Sequence, residues 1–496
     1  MFAFALIPFA ILALDSALRS LRAGRWFLAA ILLASISTTN WLGTLALACM
    51  VFAYLLATTA KLADLSRWGW SALIALTGYA MASPWIPPST IALVRANGQL
   101  ADGDYRSDME AFPQRALILG IIYIIVKIWL HRRKTLPAIQ FAAFAMILPG
   151  GIPLLGEWGK VALFPIPHRY HWELDFAVIF LVSLAVARLF RNIPPWAKYA
   201  GFLILGVAAL WQFRSYRNYA SALIRPIDIS TTVEHRIALW LRDNHPHDRV
   251  FAIGTVSYWL NAFSDIQQVA GGFEHATPNE GNRQAVERIT NGDGPEAIKW
   301  LTAVGADLIV VGGPNSRAPF RRIQRPAKFE MIAERVWSEG DDTIYRIPRR
   351  VRSLAHVVKP TDLVAGVNGG IERYVAALRD PTAPIAMLQW RHSNVALIST
   401  EMLPMHLLSV QVNFNPGWRA TVEGRTIEIE PDGLGFMAID PKCAGRCTVT
   451  LAYVGGREFW LTRASSWITI LCLTFLAFRN LVRRRRQRVV TDSAFD

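Results

Sequence analysis

The alternation of apolar spans with basic connectors constrains this chain more than any other feature. Apolar stretches fall at roughly 1–15, 26–39, 41–59, 69–83, 114–130, 135–149, 173–190, 198–213 and 464–482. A helix needs about 20 apolar residues to cross a bilayer upright, so the pattern predicts a bundle of about nine membrane spans, the shorter ones borrowing their flanks. The polar break Ser37-Thr38-Thr39-Asn40 predicts a tight turn between two helices that would otherwise read as one.

Basic residues follow every second span. They are Arg19, Arg22 and Arg25; Lys61 and Arg67; His131-Arg132-Arg133-Lys134; Arg188, Arg191 and Lys198; and the run from Arg483 to Arg488. If each span crosses once, all five groups share one side, and the positive-inside rule makes that side cytoplasmic. The other side then receives Thr38–Asn40, 84–113, 150–172 and the long polar segment 214–463. The same parity places Met1 outside with nothing before the first span, the arrangement expected of the carboxy-terminal part of a longer membrane protein. The start, Met-Phe-Ala-Phe-Ala-Leu-Ile-Pro, has no basic n-region and is not read as a signal peptide.

Composition agrees with a membrane class: 53% of residues are hydrophobic, more than an ordinary soluble chain carries. The formal net charge of +15 sits largely in the connectors, where it orients helices and meets anionic headgroups, so no nucleic-acid partner is expected. Cys443 and Cys447 have the spacing of a small disulfide-closed loop if their segment lies outside the cytoplasm.

The expected organisation is a bundle of eight spans over 1–213, an extracytoplasmic α/β domain over 214–350, an extracytoplasmic β-sandwich over 351–460, an anchor helix over 461–482 and a basic cytoplasmic tail over 483–496. The α/β reading rests on helical spacing over Val233–Asn244 and Pro295–Val304, buried strands at Arg249–Ile253 and Asp307–Val311, and a hairpin around Glu339-Gly340-Asp341-Asp342. The β reading rests on alternation over Leu407–Phe414 and on short strands between Gly and Pro turns after it.

The block Asn413-Phe-Asn-Pro-Gly-Trp-Arg-Ala-Thr-Val-Glu-Gly424, then Ala452-Tyr453 and a final span, resembles the carboxy-terminal β-domain of YfhO-type bacterial membrane proteins. The multi-span half, Pro165-Ile-Pro-His-Arg-Tyr-His171 and Tyr258-Trp-Leu-Asn-Ala-Phe263 resemble large membrane proteins of the GT-C glycosyltransferase superfamily, some labelled "6-pyruvoyl-tetrahydropterin synthase-related". The resemblance implies a bacterial inner (plasma) membrane protein that takes a polyprenyl-phosphate-linked sugar donor and an envelope glycan or glycolipid acceptor on the extracytoplasmic face. Such enzymes usually hold a catalytic acid in the first outer loop. Here that loop, Ser37–Asn40, has no carboxylate, which fits a missing amino-terminal segment or a non-catalytic accessory protein that binds glycan. A transporter would carry charges deep in its spans, and these span centres carry almost none.

Two clusters carry the candidate chemistry. In His168-Arg169-Tyr170-His171-Trp172-Glu173-Leu174-Asp175, one α-helix would place His168, His171 and Asp175 on one face. Arg169, with Tyr170 and nearby Glu157, would bind donor phosphate through a planar cationic fork. Glu173, His171 and His168 would move protons. The plain alternative is an interfacial belt of Tyr, Trp and self-neutralising charges. The second cluster, Asp102, Asp104 and Asp108 with Arg95, would help bind a diphosphate, with Mg or Mn as the divalent cation. Its Asp-Gly-Asp is equally an ordinary turn. Gly312-Gly-Pro-Asn-Ser316 reads as a turn rather than a phosphate loop, and Trp390, Trp418 and Trp460 are either sugar-stacking platforms or core.

Overall fold

The computed structural model describes residues 2–59, 62–97, 112–158, 167–190, 194–224, 226–269, 279–366 and 369–492. The chain forms two compact units, Met1–Ile224 with Glu458–Asp496, and Arg225–Arg457.

The first unit is helical: α1 (Phe2–Ser20), α2 (Ala23–Thr39), α3 (Trp41–Thr58), α4 (Ser66–Ala82), α5 (Pro88–Asn97), α6 (Phe112–Arg132), α7 (Pro137–Ile147), α8 (Gly151–Glu157), α9 (His171–Phe190), α10 (Pro195–Leu223) and the last helix, Arg457–Asp492. Its core is rich in alanine. Ala10, Ala17, Ala29, Ala30, Ala46 and Ala53 are fully buried, and small side chains let helix backbones approach closely. The polar break works as a helix cap: the Asn40 side chain accepts hydrogen bonds from the Leu42 and Gly43 amides at 2.8 and 3.4 Å, satisfying donors that α3 would otherwise leave open.

At the far end of α1 and α3 the charges are tied together. Arg19 pairs with Asp15 at 2.9 Å, and the Tyr54 hydroxyl donates to the same carboxylate at 2.7 Å. The last carbonyls of α3 collect cations. Lys127 of α6 donates to Thr59 O at 3.0 Å and to Leu56 O, and Arg67 donates to Thr58 O at 3.4 Å. A helix carboxy terminus carries partial negative charge, so cations belong there.

The expectation of about nine spans is corrected. Among the described residues five helical segments are long and apolar enough to cross a membrane: Ala3–Ser20, Trp41–Thr58, Pro137–Glu157, Pro195–Leu223 and Arg457–Asn480. Of the other expected spans, α2 and α4 have 17 residues each, at the lower end of the roughly 17–25 residues that cross a bilayer, and α9 carries Glu173, Asp175 and Arg188.

In the second unit, β1 (Val250–Phe251), β2 (Leu308–Gly312), β3 (Glu334–Glu339) and β4 (Asp342–Arg346) form a sheet of order β1-β2-β4-β3, with β1 and β2 parallel and the other pairs antiparallel. Four helices accompany it: α11 (Val233–Asn244), α12 (Thr255–Phe263), α13 (Glu280–Asn291) and α14 (Gly294–Ala303). The chain continues through β5 (Ala355–Val358), α15 (Ile371–Arg379), β6 (Met387–His392), β7 (Val395–Met402), β8 (Leu407–Asn413), β9 (Trp418–Val422), β10 (Arg425–Ile427), β11 (Ile429–Pro431), β12 (Phe436–Ile439) and β13 (Gly445–Tyr453). These strands make two antiparallel sheets, β10-β9-β13-β7-β6 and β11-β12-β8-β5, which share an apolar core of Ile398, Leu408, Val410, Met437, Val449 and their neighbours. Cys443 and Cys447 are joined as a disulfide.

Helix α15 lies inside the stretch read from sequence as all-β. It buries Ile371, Tyr374, Val375 and Leu378, a helical i, i+3, i+4, i+7 stripe. One continuous core joins Phe251, Leu301 and Ile309 of the α/β part to Val358, Tyr374, Leu434 and Phe436. A buried polar network stitches the same boundary. Arg349 donates to Asp307 at 2.6 Å and to Gln411 Oε1 at 3.2 Å, Arg249 donates to Gln411 O at 2.7 Å, and Gln411 Nε2 donates to Thr302 O and Ala303 O. The Asn413-x-Asn-Pro-Gly block is structural in the same sense. Asn413 accepts from Asn279, the cap of α13, at 2.9 Å, and Asn415 turns the chain by accepting from Gly417 N.

Candidate functional site

The first candidate cluster sits where the Pro137–Glu157 span ends and α9 begins. Pro167–Tyr170 is a 3-10 turn, and the α-helix starts only at His171, so the expected single-helix face is replaced by a turn followed by a helix. His168, Arg169, His171 and Asp175 are exposed, whereas Tyr170 and Glu173 are buried at 1% and 5% exposure. Glu157 faces His168 at 3.8 Å across the connector, and His171 Nδ1 lies 2.7 Å from His168 O. Arg169 and Glu173, spaced as an i, i+4 pair in sequence, make no ion pair.

Packing explains the burial of Glu173. Phe4 of α1 meets Trp172 at 6.2 Å and Phe176 at 6.3 Å between ring centroids, closing the sides of α9. A Cβ on Gly150 would stand 2.9 Å from Leu174 Cδ1, and one on Gly156 would overlap Pro167. The two glycines therefore let the α7–α8 segment press against the turn and α9. Among the described residues Glu173 Oε2 has no hydrogen-bond partner. A buried polar oxygen left unpaired is costly, and an ionisable group in that state at a membrane helix end is a functional candidate.

The second cluster is separate in the description. Arg95 lies on α5, and Asp102, Asp104 and Asp108 lie outside the described residues. Among the described residues no group of three or more His, Cys, Asp or Glu side chains is arranged to hold a metal ion. The Gly312–Ser316 amides are taken up internally: Gly313 N donates to Asp341 O at 2.6 Å and Asn315 N to Asp341 Oδ2 at 2.5 Å. Trp390, Trp418 and Tyr453 pack on one another, with centroids 6.2 and 5.3 Å apart, against the two-sheet core. The rings meet tilted or edge-on, and all three side chains are half-buried. Trp460 stands exposed on the last helix.

Sequence reasoning singled out the stretch 168–175 but did not show which of its carboxylates is buried. It also missed the roles of Tyr54 and Lys127 at the opposite end of α3. A lysine following the uninterrupted apolar run 116–126 was the available signal for Lys127.

No family model and no curated protein matches this chain. Two solved structures are similar to it, both cryo-EM structures of the arabinofuranosyltransferase AftD from Mycobacteria, one of them of a mutant. Both are 11% identical and cover 92% of this chain, with TM-scores of 0.42 and 0.40, and this chain covers 49% and 47% of theirs. The chain thus spans about half the length of the proteins it resembles. Neither is of the YfhO type.

Proposed function

We propose that this chain is a membrane glycosyltransferase-like protein of GT-C type, acting with a polyprenyl-phosphate-linked sugar on the extracytoplasmic face of the inner membrane. The observation that carries the reading is the buried Glu173 carboxyl, whose Oε2 has no hydrogen-bond partner among the described residues, beside the exposed His168, Arg169 and His171 at the end of a membrane-length segment. Arg169 would hold the donor phosphate through paired N–H donors. The acceptor hydroxyl would attack the anomeric carbon while the bond from that carbon to the phosphate oxygen breaks. The phosphate would leave with the bonding electrons, and the hydroxyl proton would pass to Glu173, with His168 and His171 relaying it to solvent.

Two observations support the orientation. The cationic contacts of Arg19, Arg67 and Lys127 gather at one end of α1 and α3, whereas Phe4, at the start of the 19-residue α1, touches the site helix. The Cys443–Cys447 disulfide belongs in an oxidising compartment.

The test is Arg169→Ala in the full chain in nanodiscs, with binding of a polyprenyl-phosphate sugar as readout. The reading expects binding weaker by roughly tenfold or more, the size of a lost charge-assisted contact. Unchanged donor binding removes it. A second reading, a non-catalytic accessory protein of envelope polysaccharide assembly, is favoured by one feature: α2 and α3 are joined through the single capping residue Asn40, leaving no room for a catalytic acid there. It expects glycan binding that is indifferent to Arg169.

A further inference from the structure

The loop between β2 and β3 is charged with one sign only. From Gly313 to Phe329 it carries Arg317, Arg321, Arg322, Arg325 and Lys328 and no Asp or Glu. Lys328 is occupied, donating to Ile289 O, Thr290 O and Gly292 O at the end of α13. Arg317, Arg321 and Arg325 are exposed and Arg322 is half-buried. Two acids bond to this loop: Asp341 is turned onto the Gly313 and Asn315 backbone, and Asp342 hydrogen-bonds the Ser316 hydroxyl.

The loop is held in shape rather than left loose. Ala318 and Ile323 are buried anchors. Phe320 O accepts from Thr255 N, the first residue of α12, at 3.2 Å, and Arg321 bonds back to Gly313 O. Gly254, at φ +76°, lets the start of α12 approach the Phe320 backbone where no Cβ fits. The result presents Phe320 outward at 49% exposure, next to the helix that carries Tyr258 at 43% and Trp259 at 52%. Trp259 is braced by a stacked Phe263 at 6.0 Å.

Exposed Trp, Tyr and Phe beside arginines suit a layer where apolar depth and negative charge meet, which is the headgroup zone of an anionic membrane. The unit's chain enters from α10 and leaves into Arg457–Asn480, both of membrane-spanning length and composition. Tethering at both ends keeps a bilayer surface at high effective concentration. We propose that the loop 313–325, with Tyr258 and Trp259, docks on anionic phospholipid headgroups, independently of any sugar-transfer activity.

The test uses the full chain in nanodiscs, with amide hydrogen exchange read over 313–325 and 255–263. Nanodiscs containing phosphatidylglycerol are compared with purely zwitterionic ones. Exchange of both segments should slow in the anionic discs, and raising salt to about 0.5 M should reverse this. Arg317→Glu with Arg322→Glu should abolish the slowing, and Phe320→Ser should weaken it by roughly tenfold or less at unchanged charge. Exchange of β13 reports folding, and if the double variant loses β13 protection, the salt comparison on the unaltered chain and Phe320→Ser carry the test. Equal exchange in both disc types overturns the proposal. So does slowing produced in zwitterionic discs by a soluble polyanion such as polyglutamate but not by phosphatidylglycerol, which would make the partner a soluble acidic polymer.

Discussion

Gly156 packs against Pro167 so closely that a Cβ at 156 would overlap the proline ring. This contact holds the end of α8 against the turn that carries His168 and Arg169, and it keeps Glu157 within 3.8 Å of His168. Gly156→Ala should therefore displace the turn, lower stability by about 1–3 kcal/mol as overpacking does, and weaken donor binding. Gly151, in the same helix, has open space around it, so Gly151→Ala should be neutral or stabilising by up to about 1 kcal/mol. Paired thermal-unfolding and donor-binding measurements on the two variants check this. Equal effects would remove the packing argument.

Glu173 separates function from stability. A buried carboxyl oxygen with no partner is a liability to the fold, so Glu173→Gln should leave the unfolding temperature unchanged or raised. The same variant should bind a polyprenyl-phosphate sugar yet lose transfer, because an amide cannot take the acceptor proton. A variant with undiminished transfer would show that the carboxyl is only packing.

Lys127 ties α6 to the end of α3. Helix α6 leaves Leu117, Ile118, Ile125 and Trp129 largely exposed, while Lys127 reaches the last carbonyls of α3 and lies 5.7 Å over the Phe144 ring. Lys127→Met keeps the length and removes the donors, stranding carbonyls at about 1–3 kcal/mol. The expected outcome is earlier thermal unfolding and faster proteolysis near residues 112–132. Lys127→Arg, which keeps the charge, should retain most of the stability.

How much of this was legible in the sequence depends on the range over which each feature is decided. Alternation over Leu407–Phe414 and the apolar run before Gly312 report local structure, and the strands β8 and β2 lie there. The stripe Ile371, Tyr374, Val375, Leu378 was equally plain but stood in a Gly- and Pro-rich neighbourhood that reads as sheet turns. About nine spans are not supported among the described residues, since apolarity alone does not say how long each helix runs or that charges such as Glu173, Asp175 and Arg188 fall within one. The burial of Glu173 was invisible for a different reason. It follows from Phe4, Gly150 and Gly156 meeting α9 from distant parts of the chain, and no local pattern encodes that. The hydrogen-bonded polar network was likewise hidden, since Asp307, Arg349 and Gln411 are ordinary residues until the fold brings them together.

The same network makes an acid-sensitive hinge between the α/β part and the sheets. His356 Nε2 meets Gln411 Oε1 at 3.2 Å beside Arg349. Burial first, and then the Arg349 and Arg350 charges, hold its pKa down to about 3, against the pull of the Gln411 hydrogen bond. In the unfolded chain a histidine takes up its proton near pH 6.5. Between about 6.5 and about 3 the unfolded chain therefore binds a proton that the folded chain refuses. Stability is full above pH 6.5 and falls as pH drops, by up to roughly a tenfold change in the folding constant per pH unit. Burial raises the carboxyls of Asp307, Asp342 and Asp432. Those groups act in the opposite sense, since the folded state binds their protons first, and their titration overlaps the lower part of the histidine window. His356→Gln should accordingly flatten the stability profile between pH 6.5 and about 5, with little effect at pH 8. Thermal unfolding of the full chain in detergent across that range checks it. An unchanged slope in the variant would assign the acid sensitivity to other groups, and a large loss at pH 8 would mean that the imidazole matters for packing rather than for protonation.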